Sequence, residues 1–236
     1  MVIQKRFGLS LLALSCLGLS ACDFNDNDGA PAPTPPADVS YSYEVTVQNL
    51  TQGQPLSPVG VALHSDAVMW EVGMSASAAL EVLAEGGDNS DFTAAEGVMA
   101  SASGAGPIAP GSSETITVTV VNEPDMFISV ATMLVNTNDA FAGITGHALG
   151  ELEVNQSVTM VLPVLDAGTE ANSEVAGTIP GPADGGEGYN AERDDADLVS
   201  FHPGVVSAED GLTMSVLTAA QRFDNPAVKL TITRVE

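Results

Sequence analysis

Three carboxylates define the chemistry this sequence could support. Asp139 stands in the polar stretch Asn136-Thr-Asn-Asp-Ala-Phe-Ala-Gly143, which follows the apolar run Ser129–Val135. Asp166 and Glu170 stand four apart in Asp166-Ala-Gly-Thr-Glu170, after a second apolar run, Ser157–Leu162. Each run reads as a strand, so two strands deliver acids into the loops that follow them. If those loops share one end of a sheet, their oxygens can converge on a cation. Calcium suits such a set, because it accepts about six to eight oxygen ligands and leaves room for carbonyls and water beside three carboxylates. Magnesium demands a tighter octahedron, and no thiolate or paired imidazole is on offer for softer metals. Acids are common in this chain, so the spacing alone leaves the site open.

Other reactive residue types point to less. His64-Ser65-Asp66 holds the three residue types of a hydrolase triad. Such triads assemble from distant segments, and no Gly-x-Ser-x-Gly elbow is present, so the tripeptide reads as a structural turn. His147 and His202 have no second imidazole or cysteine at ligand spacing, which argues against a transition-metal centre. Trp70, the only tryptophan, reads as a core anchor. No nucleophile and base are recognisable, and the chain reads as non-enzymatic.

Several elements must position these acids. Tyr41–Val47, Val59–His64, Thr115–Val121, Phe127–Val135, Ser157–Leu162, Leu212–Leu217 and Ala227–Val235 read as strands, most clearly where apolar and polar residues alternate. From Met74 to Glu85 the period changes: Ala76, Leu80 and Leu83 share a helical face that Gly86-Gly87 terminates. Asp88–Ser112 and Asn172–Asp197 read as loop. Seven or eight strands with one short helix packed against them predict an all-β fold, an antiparallel β-sandwich.

Composition narrows the function classes. The 236 residues include 31 Asp+Glu against 6 Lys+Arg, a net charge of −25. That balance excludes nucleic-acid binding by counterion release, which needs clustered bases. A hydrophobic content of 44% and a mean hydropathy of +0.19 argue for a folded core despite the charge.

The first residues read as an address. Lys5-Arg6, the apolar run Phe7–Gly18 and Leu19-Ser-Ala-Cys22 give a basic start, a short hydrophobic core and a lipobox, predicting a lipoprotein signal peptide over 1–21 with Cys22 lipidated. Cys16 leaves with the signal, so the mature domain has no thiol for a disulfide or zinc. Residues 22–40, with Pro31, Pro33, Pro35 and Pro36, predict a disordered Pro-rich tether. Asp23-Phe-Asn-Asp-Asn-Asp-Gly29 is not a calcium loop, because aligning Gly29 to the invariant glycine puts Phe24 at the first ligand position.

With these residues in view, 41–236 resembles the spondin N-terminal domain, found in animal matrix proteins and bacterial envelope proteins. The matching stretches run in family order. They are Pro58–Asp66 ending in His-Ser-Asp, Trp70-Glu71 with the small-residue helix Ala76–Gly86, Ala131-Thr-Met133 through Asp139 to Gly143, Asp166–Glu170, and His202-Pro-Gly204. Asn138-Asp139-Ala140 departs from the family's Pro-Asp-Trp, and the cysteines of animal members are absent. The resemblance implies a sandwich like the calcium-dependent lipid-binding (C2) domains, with calcium held by loops at one end. Carried over position by position, its metal carboxylates fall on Asp139, Asp166 and Glu170.

The expected function is a lipid-anchored, calcium-binding envelope module for adhesion or matrix interaction. Its expected contacts are a membrane, through the lipid anchor, and an extracellular protein or glycan. The expected location is the bacterial envelope, at the outer membrane or the periplasmic side of the inner membrane. The alternative is a periplasmic small-ligand-binding lipoprotein in which calcium is structural.

Overall fold

Three alternating strands build the first layer. In β1 (Ser40–Asn49), β4 (Ser113–Val121) and β10 (Val228–Arg234), every second residue is apolar and buried: Tyr43, Val45 and Val47; Ile116, Val118 and Val120; Val228, Leu230 and Ile232. With β7 (Ser157–Leu162) they form an antiparallel sheet in the order β4-β1-β10-β7. The outward face carries hydroxyls that pair across strands, Thr46 with Thr115 at 2.8 Å and Thr159 with Thr231 at 3.0 Å. Such pairs each add a few tenths of a kcal/mol, up to about 1 kcal/mol.

The second layer is a six-stranded antiparallel sheet in the order β3-β2-β5-β6-β8-β9. Its strands are β2 (Gly60–His64), β3 (Val98–Ser103), β5 (Phe127–Met133), β6 (Ala140–Ala148), β8 (Val164–Asp166) and β9 (Ser200–Phe201). β2 is buried at all five residues, and β5 at every residue after its first, because this sheet is covered on both faces. One face packs on the first sheet through Val61, Leu63, Ile128 and Val130. The other meets helix α1 (Ala78–Gly86), the short α2 (Ser90–Thr93) and Trp70, through Ala62, Ala131 and Phe141. Two sheets with helices on one outer face make the fold an all-β sandwich.

Helix α1 begins at Ser77, whose Oγ accepts from Leu80 N, and ends at Gly87, where φ of 70° lets the cap N–H reach Leu83 O. Leu80, Leu83 and Ala84 are buried under it, and Trp70 packs edge-on to Phe141 with ring centroids 5.3 Å apart. The tryptophan is a core anchor, as its isolation suggested.

The structure, a computed structural model, describes residues 35–192 and 195–236. Asp38–Glu236 form one compact unit. The signal peptide, Cys22 and the first prolines of the tether lie outside the described residues.

Several expected elements need correction. β6 occupies part of the stretch read as a loop, so the segment carrying Asp139 is only the tight turn between Met133 and Ala140. β3 lies within the stretch expected as loop, and β8 and β9 fall outside every expected strand. Leu212–Leu217 is not a strand: it contributes one bridge, Val175 to Ser215, within a region of turns and short 3-10 helices. Leu217 instead joins a small satellite core with Ile179 and Val205.

Candidate metal centre

Strand pairing brings the acid-bearing turns together. β6 and β8 pair with Ala140 opposite Asp166, so Asp139, one residue before β6, lies next to the end of β8. Ala167 N donates to Asp139 O at 3.3 Å. All three expected site acids are nearly inaccessible: Asp139 is 0% exposed, Asp166 6% and Glu170 3%.

Hydrogen bonds clasp the two turns. Asp139 Oδ2 accepts from Thr169 N at 2.9 Å and Glu170 N at 3.1 Å. Asp166 Oδ1 accepts from Gly168 N at 2.8 Å, and its Oδ2 from Asn172 Nδ2 at 2.6 Å. Asn138 Nδ2 donates to the carbonyls of Glu170 and Ala171, both at 3.1 Å. An asparagine amide therefore ties the turns together at the position where the chain departs from Pro-Asp-Trp.

The clasp leaves oxygens unspent. Asp139 Oδ1 and Asn138 Oδ1 are buried with no hydrogen-bond partner among the described residues. Burial pushes the Asp139 carboxyl up to about 7, the Asp166 charge adds to the rise, and the N–H groups of Glu170 and Thr169 pull against it. The Glu85 charge raises it further. His202, which follows β9, is also buried; its Nδ1 accepts from Gly204 N at 2.9 Å, leaving Nε2 without a partner. Burial lowers its pKa, and the nearby Asp166 opposes that.

The structure thus gathers the expected acids in one buried neighbourhood without closing them into a cage. Among the described residues, no group of three or more His, Cys, Asp or Glu side chains is arranged to hold a metal ion. The donors nonetheless fit a hard cation. Adjacent buried carboxylates and an unpartnered Asp139 oxygen are what a divalent ion stabilises, and an oxygen set matches calcium. Asp139, Asp166 and Glu170 are the residues that would hold it.

Asn138 belongs to this neighbourhood although the sequence does not single it out. Asn138 had no signal beyond its place beside Asp139.

The other candidates resolve differently. His64 Nε2 lies 2.8 Å from Ser129 Oγ, and both residues are buried, on the sheet face that Ala62 and Ala131 share. Ser65 Oγ instead donates to Asp66 Oδ1 at 3.2 Å, so the tripeptide does not form a relay. An open cleft of about 640 Å³ lies between Leu50–Gln52, Pro203–Val205 and Ala219–Pro226. Its one guanidinium, Arg222, is paired with Asp210.

A two-sheet antiparallel sandwich with a short helix on its flank and acids gathered at one loop end defines the class as a compact β-module. The chain belongs to the Spondin_N family, whose profile matches residues 51–178, more than half of it. Membership points to an extracellular or matrix-related module. No curated protein matches the chain.

Proposed function

We propose that this protein is a lipid-anchored, non-enzymatic envelope module that binds calcium between the Asp139 turn and the Asp166–Glu170 loop, for adhesion or matrix interaction. The observation that carries the reading is Asp139 Oδ1, buried and unpartnered beside Asp166. Calcium bound there would supply positive charge to carboxylates that otherwise repel. Asp139, held by Thr169 and Glu170 N–H groups, presents its second oxygen, and Asn138 holds the opposite turn in place. The non-enzymatic reading is supported by the burial of the Ser129–His64 pair and by Ser65 turning to Asp66 instead of to a histidine.

The test is a calorimetric titration of the compact unit Asp38–Glu236 with calcium. A site of the extracellular type binds with Kd on the order of 0.1–1 mM. Asp166→Asn should weaken binding by about tenfold or more. An absence of binding heat and of retained metal in the wild type would remove the calcium reading. The anchor rests on the lipobox at Leu19–Cys22. Cys22→Ser should move the protein from membrane to soluble fractions, and a variant that stays with the membrane would contradict it.

A further inference from the structure

The chain after the Asp166–Glu170 loop carries a buried acid that the candidate metal centre does not use. Glu174 is 2% exposed, and its φ of 53° is a left-handed conformation that residues with a long side chain seldom adopt. Its backbone carbonyl accepts from Val216 N at 2.8 Å, and its Oε1 accepts from Val206 N at 3.4 Å. Its Oε2 is buried with no hydrogen-bond partner among the described residues. One residue thus pins two returning segments of the chain. Those segments back the open cleft of about 640 Å³: Val205, beside Val206, lines it, and so does Ala219, three residues beyond Val216. Between them lies the satellite core of Ile179, Val205 and Leu217, against which Val216 and the cleft residue Phe223 pack. So small an apolar cluster leaves the lobe dependent on its polar pins.

We propose that Glu174 is a proton-dependent latch: its neutral carboxyl holds the 203–206 and 216–219 segments together behind the cleft, and its ionised form releases them. A buried carboxylate with an oxygen that no donor reaches is far costlier than the neutral acid. The titratable and charged groups on the surrounding segments turn elsewhere. Asp184 takes Gly177 N and Ile179 N, Glu209 takes Ser207 Oγ, and His202 Nδ1 takes Gly204 N. Asp210 takes Ser207 N and pairs with Arg222. Burial accordingly raises the Glu174 carboxyl from 4.5 to about 7, with the Val206 N–H pulling against the rise. The latch is therefore fully closed below about pH 4.5 and loosens as pH rises through about 7. It does not depend on the calcium reading.

The test is amide hydrogen exchange at Val206 and Val216, in wild type and in Glu174→Gln, which keeps the shape of the neutral acid and cannot ionise. Dividing the wild-type rate by the variant rate at each pH removes the intrinsic pH dependence of exchange and the contribution of Asp139, which both proteins share. Between about pH 5 and 8 that ratio should grow by on the order of fiftyfold, then level off beyond the folded value of about 7. A merely structural role for the side chain gives a ratio that stays flat with pH, and would overturn the proposal. Both amides should also exchange faster than those of the central strand β1, because the latch opens locally. Exchange at the β1 rate would mean that they open only with the whole domain, and there is no latch. Should Glu174→Gln not fold, carboxyl-carbon NMR of the wild type decides. The Glu174 Cδ resonance should titrate near 7, together with the amide shifts of Val206 and Val216, and a midpoint near 4.5 would sink the latch.

Discussion

Gly168→Ala should destabilise the domain by about 2–5 kcal/mol and sharply weaken calcium binding. Gly168 has φ of +71°, and a Cβ there would stand 2.4 Å from Leu198 O and 2.6 Å from Leu198 N. The left-handed conformation alone costs alanine roughly 1–2 kcal/mol. Contact with backbone adds about 1–3 kcal/mol, because backbone cannot swing aside as a side-chain tip can. The damage lands on the site: Gly168 N donates to Asp166 Oδ1, and the two residues after it donate to Asp139. Gly177→Ala is the control, since φ there is +89° with nothing within 4 Å of a Cβ. It should lose only the conformational part and keep calcium affinity. Equal denaturation midpoints for the two variants would show that the Leu198 contact does not constrain the loop.

The second large effect is a pH dependence that calcium removes. Asp139 has a carboxyl raised to about 7 from an ordinary 3.8. The folded chain therefore holds a proton that the unfolded chain has released. Its contribution is fully present below about pH 3.8 and is lost as pH rises through about 7. Glu174 is raised to about 7 by burial and acts in the same direction. His64 and His202 are both lowered by burial, so their contributions are lost as pH falls below 6.5, which opposes the trend. Asp139→Asn isolates the effect. Relative to this variant, metal-free wild type should lose on the order of 1.4 kcal/mol per pH unit across the window between about 4 and 7. A difference that stays flat with pH would mean that Asp139 is ionised and satisfied without metal.

What the sequence made legible follows from how each element is covered. β4 could be read because one face meets solvent: Thr115, Thr117 and Thr119 alternate with buried Ile116, Val118 and Val120. β6 could not, because Ala140, Phe141 and Ala142 are all buried and the polar residues before them made the loop look longer. The alternation in Leu212–Leu217 misled, since period two marks a strand only where a partner exists. There the chain bends through short capped turns, with Met214 66% exposed. Asp139, Asp166 and Glu170 were visible as acids after apolar runs, a local pattern. Asn138 was not legible, because its amide reaches the Glu170 and Ala171 carbonyls only once the pairing of β6 with β8 brings the two turns together.

The most direct measurement is a thermal melt of Asp38–Glu236 at pH 7.5, in chelator and in 10 mM calcium, for wild type and Asp139→Asn. At about one hundred times a Kd of roughly 0.1 mM, calcium should stabilise the wild type by about 2.7 kcal/mol, a rise of about 5–10 °C. Asp139→Asn should move by no more than about 1 °C, and in chelator it should melt at or above the wild type, because a buried unpartnered charge has been removed. A wild type that folds yet ignores calcium, or an Asp139→Asn variant that calcium stabilises as much as the wild type, would contradict a calcium site built on these acids.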